Sequence, residues 1–563
     1  MIGAGAFLAG VIAASGGISF RTVPLDIDPA PRRLLARDVD GDGRLDLLAA
    51  FPDGVVPYAQ GREGFVPVSP PIPTPPGGAL FDAGDLDGDG RADLVLLDGS
   101  GRVSASAARP DGSFAEARPL LERVPAAVPL GLHDAPLLLD LDGDGGLDLA
   151  LPGVGEILLY RRGSDGVYRE AGAVATKVDI DADVGDRRKA RSRDLTERFR
   201  SRWRVPLFDL EDANADGRPD LLAETEEAFS VYLAGGDGAF PRGPSYRLDL
   251  EELRRRLPKL PGDRSFDPEN LTSAATNRVE YRREDLDGDG AVDFVVRVGN
   301  TITVFAGGPE GVRFTEPVQV LKASGNLLAI FLFDDDADGR LDLGILRMED
   351  VSLAEALTWF VVPVRVRFEV FLYRNREGRS FSRRPDRRQG FTLSLPSVRN
   401  IEDEADRVLD LEEDDVVSET GDFDGDGEKD DLLLVDREGS IRVFEGAGEG
   451  IGLGGKDPVL WALEALGWRS GEDEIVVTLD TVAELQAREA GRVAGRIAGR
   501  EPDWSARIPL DGDREHSPKP EVWVLDLDGD GRDDAVVGWS VPSRAGAAPF
   551  EATALLSGPV RDG

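Results

Sequence analysis

Short apolar runs recur along the chain, and polar, glycine-rich segments separate them. One run, DLVLL at residues 93–97, directly follows an acidic loop, and another apolar run precedes that loop. A third run comes after a turn, as in TITVF at 301–305, and a fourth short segment follows a Gly-rich turn, as in DGSFAEAR at 111–118. Apolar runs of this length between turn residues predict β-strands, four to a unit. Helical periodicity is confined to a few insertions.

The acidic loop is itself repeated. The pattern D-x-D/N-x-D-G-x-x-D occurs eight times, and we number the copies loop one to loop eight. They start at residues 38, 85, 140, 212, 285, 334, 422 and 526. Four short strands in each repeat are typical of a propeller blade. The sequence therefore predicts an all-β fold, a single β-propeller of eight four-stranded blades, with seven blades as the alternative.

The two ends of the chain favour a closed ring. The last repeat ends after three predicted strands, whereas the segment GISFRTVPL at residues 17–25 is a predicted strand that precedes loop one. We expect residues 18–30 to supply the missing fourth strand of the last blade, because a closed ring leaves no sheet edge open to aggregation. The propeller would then cover residues 18–563.

Each loop carries the ligands that a hard cation needs. Side-chain oxygens at positions 1, 3, 5 and 9 can converge with the carbonyl oxygen of position 7, while glycine at position 6 permits the turn. Calcium tolerates such a crowded oxygen site better than magnesium does, so we predict up to eight structural Ca²⁺ ions. The predicted metal ligands are Asp38, Asp40, Asp42, Arg44, Asp46, Asp85, Asp87, Asp89, Arg91, Asp93, Asp140, Asp142, Asp144, Gly146, Asp148, Asp212, Asn214, Asp216, Arg218, Asp220, Asp285, Asp287, Asp289, Ala291, Asp293, Asp334, Asp336, Asp338, Arg340, Asp342, Asp422, Asp424, Asp426, Glu428, Asp430, Asp526, Asp528, Asp530, Arg532 and Asp534.

Two alternatives can be weighed on the same residues. An EF-hand is excluded because its loop needs a glutamate at position 12, where every copy here has an apolar residue of the following strand. Those residues are Ala49, Leu96, Leu151, Ala223, Val296, Ile345, Leu433 and Val537. An ordinary Asp-Gly turn explains one copy but not eight in register, because four unpaired carboxylates within nine residues repel one another.

Two copies depart from the pattern. Loop four has Asn214 at position 3 and carries Pro219. Loop seven has one additional residue before its strand, so Asp430 and Asp431 compete for position 9, and we assign that position to Asp430. We expect these two loops to bind metal least well.

The eight motifs and their four-strand units resemble the FG-GAP/VCBS-type repeats of bacterial secreted proteins, which are akin to the calcium-binding blades of integrin α-subunits. The resemblance covers nearly the whole chain from about residue 18. It implies a propeller with structural calcium at one face and ligand-binding loops at the opposite face. It does not specify the function, because the family includes adhesins, lectin-like modules, lyases and lipase-associated domains.

Composition restricts the partners. The formal net charge is -40, with 106 acidic against 66 basic residues, so we predict no nucleic-acid partner. The chain has no cysteine and two histidines, which excludes thiolate metal sites and leaves little for zinc or for histidine-based catalysis. Residues 1–17 resemble a signal peptide without its basic region, and no later stretch is apolar for long enough to span a membrane. We therefore expect a secreted, periplasmic or cell-surface protein.

Insertions distinguish this chain from a bare ring. They lie at about residues 171–206, 247–280, 347–362 and 452–520. The basic stretch 187–204 is predicted to be a helix, either one that docks an anionic partner or one that packs Phe199 and Trp203 on an acidic surface. The acidic run 401–415 is predicted to be solvated. We expect the insertions to cluster at the face opposite the calcium loops.

Catalytic motifs such as G-x-S-x-G, H-E-x-x-H and Walker A are absent from the sequence. His133 beside Asp134 could be a base with its orienting group, although a histidine leading into a strand is more often structural. The leading hypothesis is a calcium-stabilised binding or adhesion module for a macromolecule, glycan or protein, without catalysis. The alternatives are a polysaccharide lyase or hydrolase on the same ring, or a purely structural surface scaffold. The sequence does not predict the oligomeric state.

Overall fold

A computed structural model gives the chain an all-β architecture. It describes residues 18–25, 33–61, 64–176, 179–184, 199–204, 207–257, 277–359, 361–376, 378–397, 416–436, 438–448, 458–466, 468, 474–478, 481, 495–508, 520–540 and 550–558. The predicted leader at residues 1–17 and the acidic run at 401–415 lie outside these residues. None of the helices in the described part of the chain is long and apolar enough to cross a membrane.

The described strands form eight sheets of four or five strands, which we number in chain order, and one separate two-stranded hairpin. The N-terminal strand is Ser19–Leu25 (β1). Sheet one contains Arg33–Arg37 (β2), Asp46–Phe51 (β3), Gly54–Gly61 (β4), Gly64–Pro67 (β5) and Ile72–Pro73 (β6). Sheet two contains Ala79–Gly84 (β7), Asp93–Asp98 (β8), Val103–Ser106 (β9), Arg118–Leu121 (β10) and Leu132–Asp134 (β11). Sheet three contains Leu138–Leu139 (β12), Asp148–Pro152 (β13), Glu156–Arg162 (β14) and Tyr168–Ala175 (β15).

The middle of the chain continues the pattern. The hairpin is Asp179–Val184 (β16) with Phe199–Arg204 (β17). Sheet four contains Leu207–Glu211 (β18), Asp220–Glu224 (β19), Ala228–Tyr232 (β20) and Tyr246–Asp249 (β21), and the helix Leu250–Arg255 (α1) follows it. Sheet five contains Val279–Glu284 (β22), Asp293–Val298 (β23), Thr301–Phe305 (β24) and Gln319–Lys322 (β25). Sheet six contains Asn326–Phe333 (β26), Asp342–Met348 (β27), Val364–Tyr373 (β28) and Arg387–Leu395 (β29), with the helix Leu353–Thr358 (α2) between β27 and β28.

The last two sheets draw on distant segments. Sheet seven contains Val416–Gly421 (β30), Asp431–Asp436 (β31), Ser440–Phe444 (β32) and, beyond the helix Pro458–Ala465 (α3) and the strand Glu474–Thr478 (β33), Trp504–Arg507 (β34). Sheet eight contains Glu521–Leu525 (β35), Asp534–Ser540 (β36) and Phe550–Gly558 (β37). Its fourth strand is β1, which pairs antiparallel with β37 from Ser19 opposite Gly558 to Leu25 opposite Ala552. The N-terminal segment therefore completes the last sheet.

The second strand of a sheet is buried on both of its faces, as every residue of β3 is. Alternate side chains of a strand point to opposite faces, so Leu47 and Ala49 face sheet eight whereas Leu48 and Ala50 face sheet two. Shared clusters of buried apolar side chains join each sheet to the next from sheet one to sheet six, and join sheets seven and eight. A further cluster joins sheet eight to sheet one. The sheets therefore stack face to face in chain order, as propeller blades do.

Sheets six and seven differ from the others in what covers their facing sides. Buried side chains of sheet six pack against Leu460 and Leu463 of α3 and against Trp468. Sheet seven packs Leu432, Leu434 and Phe444 beside Ile497. Strand β33 also adds to sheet six by pairing parallel with β29. The insertion at 452–520, which leaves sheet seven between its third and fourth strands, thus supplies apolar cover for both sheets.

The predicted helices are partly confirmed. Helices α1 and α2 lie in the insertions at 247–280 and 347–362, and α2 connects the second to the third strand of sheet six. The prediction of a helix over 187–204 is wrong for residues 199–204, which form β17. The sequence FRSRWR alternates arginine with other residues at the period of a strand, and its register sets Arg200, Arg202 and Arg204 opposite aspartates of β16. Opposite charges across a strand pair favour that pairing.

The topology gives each sheet two distinct ends. We call the end that carries the Asp loops, between first and second strands, the loop end. In an antiparallel sheet the turns between third and fourth strands also lie there, whereas the second-to-third turns and the links between sheets lie at the far end. Hairpin β16–β17, α1 and α2 therefore emerge at the far end, as expected. The sequence left the place of the insertion at 452–520 open; it leaves from the loop end, so the expected clustering opposite the Asp loops does not extend to it.

Candidate metal centres

The first aspartate of each loop organises the loop backbone. In loop two the carboxylate of Asp85 accepts hydrogen bonds from the backbone N–H of Gly88 at 2.7 Å and of Gly90 at 2.8 Å. The bond from the position-6 glycine recurs in all eight loops, at 2.7–3.1 Å. The predicted role of this glycine is confirmed, because it has a positive φ of 81–90° in every copy. One loop conformation is therefore repeated eight times.

Position 4 is a second left-handed position that sequence reasoning missed. Six loops have glycine there with a positive φ, whereas Ala215 and Ala337 hold φ values of 60° and 58° in loops four and six. An L-residue with a side chain adopts this conformation at a cost of about 1–2 kcal/mol. The recurring Gly at position 4 was the signal in the sequence.

The aspartates at positions 1, 3 and 5 converge. In loops one, two, three, five and six, one carboxylate oxygen from each of the three lies within 4.8 Å of the other two. Burial and then the charge of Asp42 raise the pKa of Asp40, and burial and then the charge of Asp530 raise the pKa of Asp528. A cation among these oxygens would relieve the repulsion that contributes to both shifts. The clustering fits the predicted metal ligands at these three positions.

The last aspartate of the loop has a different setting, because it is buried and both its oxygens serve the backbone. In every sheet one oxygen accepts an N–H from the end of the third strand or just beyond it, at 2.6–3.0 Å. In seven loops the other oxygen accepts the N–H of loop position 2. Burial raises the pKa of Asp148 to about 6 and that of Asp534 to about 7. This residue fastens the loop to the sheet whether or not it also touches a metal.

Loop seven requires a correction. We expected Asp430 at position 9, but Asp431 is the residue that takes the buried place. Its carboxylate accepts the N–H groups of Phe423 at 2.8 Å and Gly446 at 3.0 Å, which are the equivalents of the bonds in the other loops. Asp431 is also the first residue of β31, and the additional residue of this loop is accommodated before the strand begins. Asp431 therefore takes position 9 in place of Asp430, because its buried carboxylate is the one that accepts both backbone N–H groups.

The oxygen-rich loops fit a calcium ion. In loop four, the side-chain amide of Asn214 donates to Asp216 and to the carbonyl of Pro309, both at 3.0 Å. Its buried Oδ1 has no hydrogen-bond partner among the described residues, which leaves it suited to a cation. In a loop that binds the ion, the oxygens of positions 1, 3 and 5, with position 9 and the carbonyl of position 7, would hold it. Bound there, Ca²⁺ would neutralise the carboxylates and hold the loop in one conformation through its bonds to their oxygens.

Arginine side chains already contact many of these carboxylates. The position-7 arginines Arg44, Arg91, Arg218 and Arg340 each form a salt bridge with the position-5 aspartate of the same loop. We had assigned position 7 only a carbonyl role, so these side-chain contacts were missed. The recurrence of arginine at that position in five of eight loops was the available signal.

Neighbouring loops touch one another. The N–H of Ala92 in loop two donates to the carbonyl of Asp38 in loop one at 2.7 Å, and that of Asp533 in loop eight donates to Asp422 in loop seven at 2.7 Å. Loop one is joined to loop eight by Leu45 N–H and the carbonyl of Leu527 at 2.5 Å. The loop ends of these sheets therefore lie side by side.

Comparison with known families agrees with this geometry. A family model described as an FG-GAP-like repeat matches the chain twice, over residues 38–96 and 85–151. Each match runs from one Asp loop through the second strand of the next sheet. Residues 38–151 therefore match FG-GAP-like repeats. The resemblance inferred from the eight motifs is thus confirmed.

The other comparisons add no functional assignment. Curated protein sequences give no match. An Agrocybe aegerita lectin, described as recognising non-reducing terminal N-acetylglucosamine, aligns with 65% of this chain and 85% of its own at 17% identity and a TM-score of 0.29. The Photorhabdus luminescens Tc holotoxin pore aligns with 96% of this chain but only 27% of its own, at 16% identity and a TM-score of 0.24.

His133, the candidate base, lies on the short strand β11 at the edge of sheet two. Its Nε2 lies 2.9 Å from the carbonyl oxygen of Leu130. The neighbouring Asp134 forms a salt bridge with Arg33 at 3.0 Å. These contacts favour the structural interpretation of both residues.

Proposed function

We propose that this FG-GAP repeat protein is a calcium-stabilised β-propeller that binds a macromolecular ligand, a glycan or a protein, without catalysing a reaction. The observation that carries the proposal is the separation of the two sheet ends. Aspartate loops in one repeated conformation occupy the loop end. Three of the four insertions emerge at the far end, one of them with the exposed Leu357 and Val361, whereas the insertion at 452–520 leaves from the loop end.

The stacking order supports eight blades in one ring. Sheets one to six are joined in succession by buried clusters, and sheets seven, eight and one are joined in the same way. We propose that the ring closes between sheets six and seven through the insertion at 452–520, whose α3 and β33 cover sheet six. A closed ring would leave no sheet pair without cover.

Structural calcium is the second part of the proposal. The clustered carboxylates favour a hard cation, and loops that remain partly exposed to solvent favour weak sites of the extracellular type, with dissociation constants of about 10⁻⁴–10⁻³ M. Such sites would be filled outside the cytosol. Together with the signal-like segment at residues 1–17, this supports a secreted, periplasmic or cell-surface protein.

The ligand surface is proposed at the far end. Val154 in the second-to-third turn of sheet three is 85% exposed, and Leu130 in the link from sheet two is 70% exposed. In the corresponding connection of sheet six, Leu357 and Val361 are 58% and 74% exposed. Exposed apolar surface of this kind is typical of interaction sites.

One pair of variants tests the location. Val154→Asp places a charge at the far end of sheet three. Val167→Asp makes the same change at another exposed valine, in the third-to-fourth turn of sheet three at the loop end. With a ligand selected from glycan and protein arrays, we expect Val154→Asp to weaken binding at least about tenfold. Burying the valine side chain against the ligand is favourable, whereas burying an aspartate there would require removing water from a charge. Val167→Asp should bind as the parent does.

The same arrays decide between the functional classes. Binding without turnover of the bound polysaccharide supports the proposal. Turnover by the purified protein, in lyase or hydrolase assays, would replace it by the carbohydrate-active enzyme. If the protein binds no ligand on the arrays, the purely structural surface scaffold would replace the proposed binding module.

A further inference from the structure

A turn from the neighbouring sheet six covers loop five. The side-chain amide of Asn375, which is buried, donates to the carbonyl of Leu286 in loop five at 3.0 Å. Gly378 has a φ of +90°, and a Cβ at that position would lie 2.6 Å from the Cβ of Asp287. Glycine is therefore required there for the turn to approach the loop so closely.

This approach places a guanidinium among the loop carboxylates. Arg379 Nε lies 2.5 Å from Asp287 Oδ2, and Nη2 donates to Asp289 Oδ2. Nε is also 3.9 Å from Asp293 Oδ1. One arginine thus reaches the aspartates at positions 3, 5 and 9, which are three of the four side chains predicted to hold a calcium ion.

The loop's own sequence agrees with a cation supplied from outside. Loops one and two carry Arg44 and Arg91 at position 7, where they pair with the position-5 aspartate of their own loop. Loop five has the buried Ala291 at that position. Arg379, which lies about ninety residues further along the chain, contacts Asp287 at position 3 through its Nε and Asp289 at position 5 through its Nη2.

We propose that loop five is neutralised by the guanidinium of Arg379 in place of calcium, so that this loop is a permanent salt-bridge joint between sheets five and six. The inference rests on the proposal that the other loops bind Ca²⁺. A planar guanidinium with several N–H donors matches two carboxylates at once. A divalent ion would have to displace it or bind beside a like charge, which opposes binding at such short range.

The test counts Ca²⁺ ions bound to each purified protein by equilibrium dialysis at about 10 mM free Ca²⁺, which is at least about tenfold above the dissociation constants of weak extracellular-type sites. We expect Arg379→Gln to bind one ion more than the parent. Arg313→Gln is the matched control, because Arg313 lies in the third-to-fourth turn of sheet five and pairs with Glu310 and Glu316 instead of with loop carboxylates. That control should bind the same number as the parent.

A second pair keeps the test valid if Arg379→Gln does not fold. The double variant Asp287→Asn/Asp289→Asn should leave the number of bound ions unchanged, whereas Asp87→Asn/Asp89→Asn in loop two should remove one ion. Circular dichroism verifies that each protein is folded.

Equal, non-zero counts for the parent and Arg379→Gln, or the loss of one ion on altering loop five, would overturn the inference and leave the proposed function standing. No bound Ca²⁺ in the parent or in any variant would instead overturn the calcium part of the proposed function, and this inference with it.

Discussion

The side chain of Phe20 tests whether the N-terminal strand is an integral part of the fold. Strand β1 completes sheet eight, and Phe20, only 6% exposed, points from it toward sheet seven. Its ring centroid lies 5.4 Å from that of Phe423 and 4.9 Å from that of Trp504. The residue therefore joins the N-terminus of the chain to a sheet formed some four hundred residues later.

The expected cost of Phe20→Ala follows from these contacts. Truncating a buried phenylalanine to alanine lowers the free energy of unfolding by about 3–5 kcal/mol. Each aromatic pair adds about 0.5–1.5 kcal/mol beyond the area that it buries. With two such pairs we expect a loss in the upper half of that range, about 4–5 kcal/mol. Phe20→Leu, which keeps most of the apolar volume, should lose less than half as much.

Urea unfolding followed by tryptophan fluorescence measures this loss, with saturating Ca²⁺ in every sample. Val320→Ala is the control, because Val320 is an exposed residue of the edge strand β25 and should change stability by less than about 0.5 kcal/mol. A double-mutant cycle of Phe20→Ala with Phe423→Ala should give a coupling of about 1 kcal/mol. If the free energies of unfolding of Phe20→Ala and Val320→Ala are equal, or if the coupling energy is zero, β1 does not pack against sheet seven.

Three further outcomes are expected. Chelation with EDTA should lower the melting temperature and Ca²⁺ should restore it, by about 2.7 kcal/mol for each site at a hundredfold excess over its dissociation constant; an unchanged melt would contradict calcium binding. Asp431→Asn should destabilise by about 1–3 kcal/mol, because its new amide group faces N–H donors, whereas Asp430→Asn should have little effect, and the reverse order would restore our first assignment. In EDTA, the midpoint of urea unfolding should fall as the pH rises from about 4 to about 7. The reason is that burial raises the pKa of Asp534 from an ordinary 3.8 to about 7 in the folded state, so the folded protein holds this proton more tightly than the unfolded chain does. A midpoint that rises over this interval would contradict the burial argument.

Much of the fold was predictable because the information is local. The apolar runs beside each loop predicted strands such as β8 and β36, and the position-6 glycines predicted a left-handed turn in every copy. Repetition strengthened both predictions, since each copy tests the same pattern in a different context. The pairing of β1 with β37 was accessible by counting strands, although the two are more than five hundred residues apart.

Several of the errors and omissions arise from pairing and contacts between separate segments of the chain. Strand β17 pairs with β16, and that pairing decides its conformation more than its composition does. The parallel addition of β33 to sheet six has no local signature. Arg379 is separated from Asp289 by ninety residues, and no local pattern predicts that the two lie side by side. Such contacts depend on tertiary packing, which a linear pattern does not contain.

The buried last aspartate explains how a metal at the loop end could stabilise the whole fold. Its two oxygens connect the loop backbone to the third strand of the same sheet, as Asp46 does through Val39 and Gln60. The loop in turn donates to the loop of the neighbouring sheet, as Leu45 does to Leu527. A cation that orders one loop would therefore order its own sheet and the adjacent one. Because this network lies at the loop end, the far end is free to vary in length and sequence without disturbing it, which is where a binding surface can diversify.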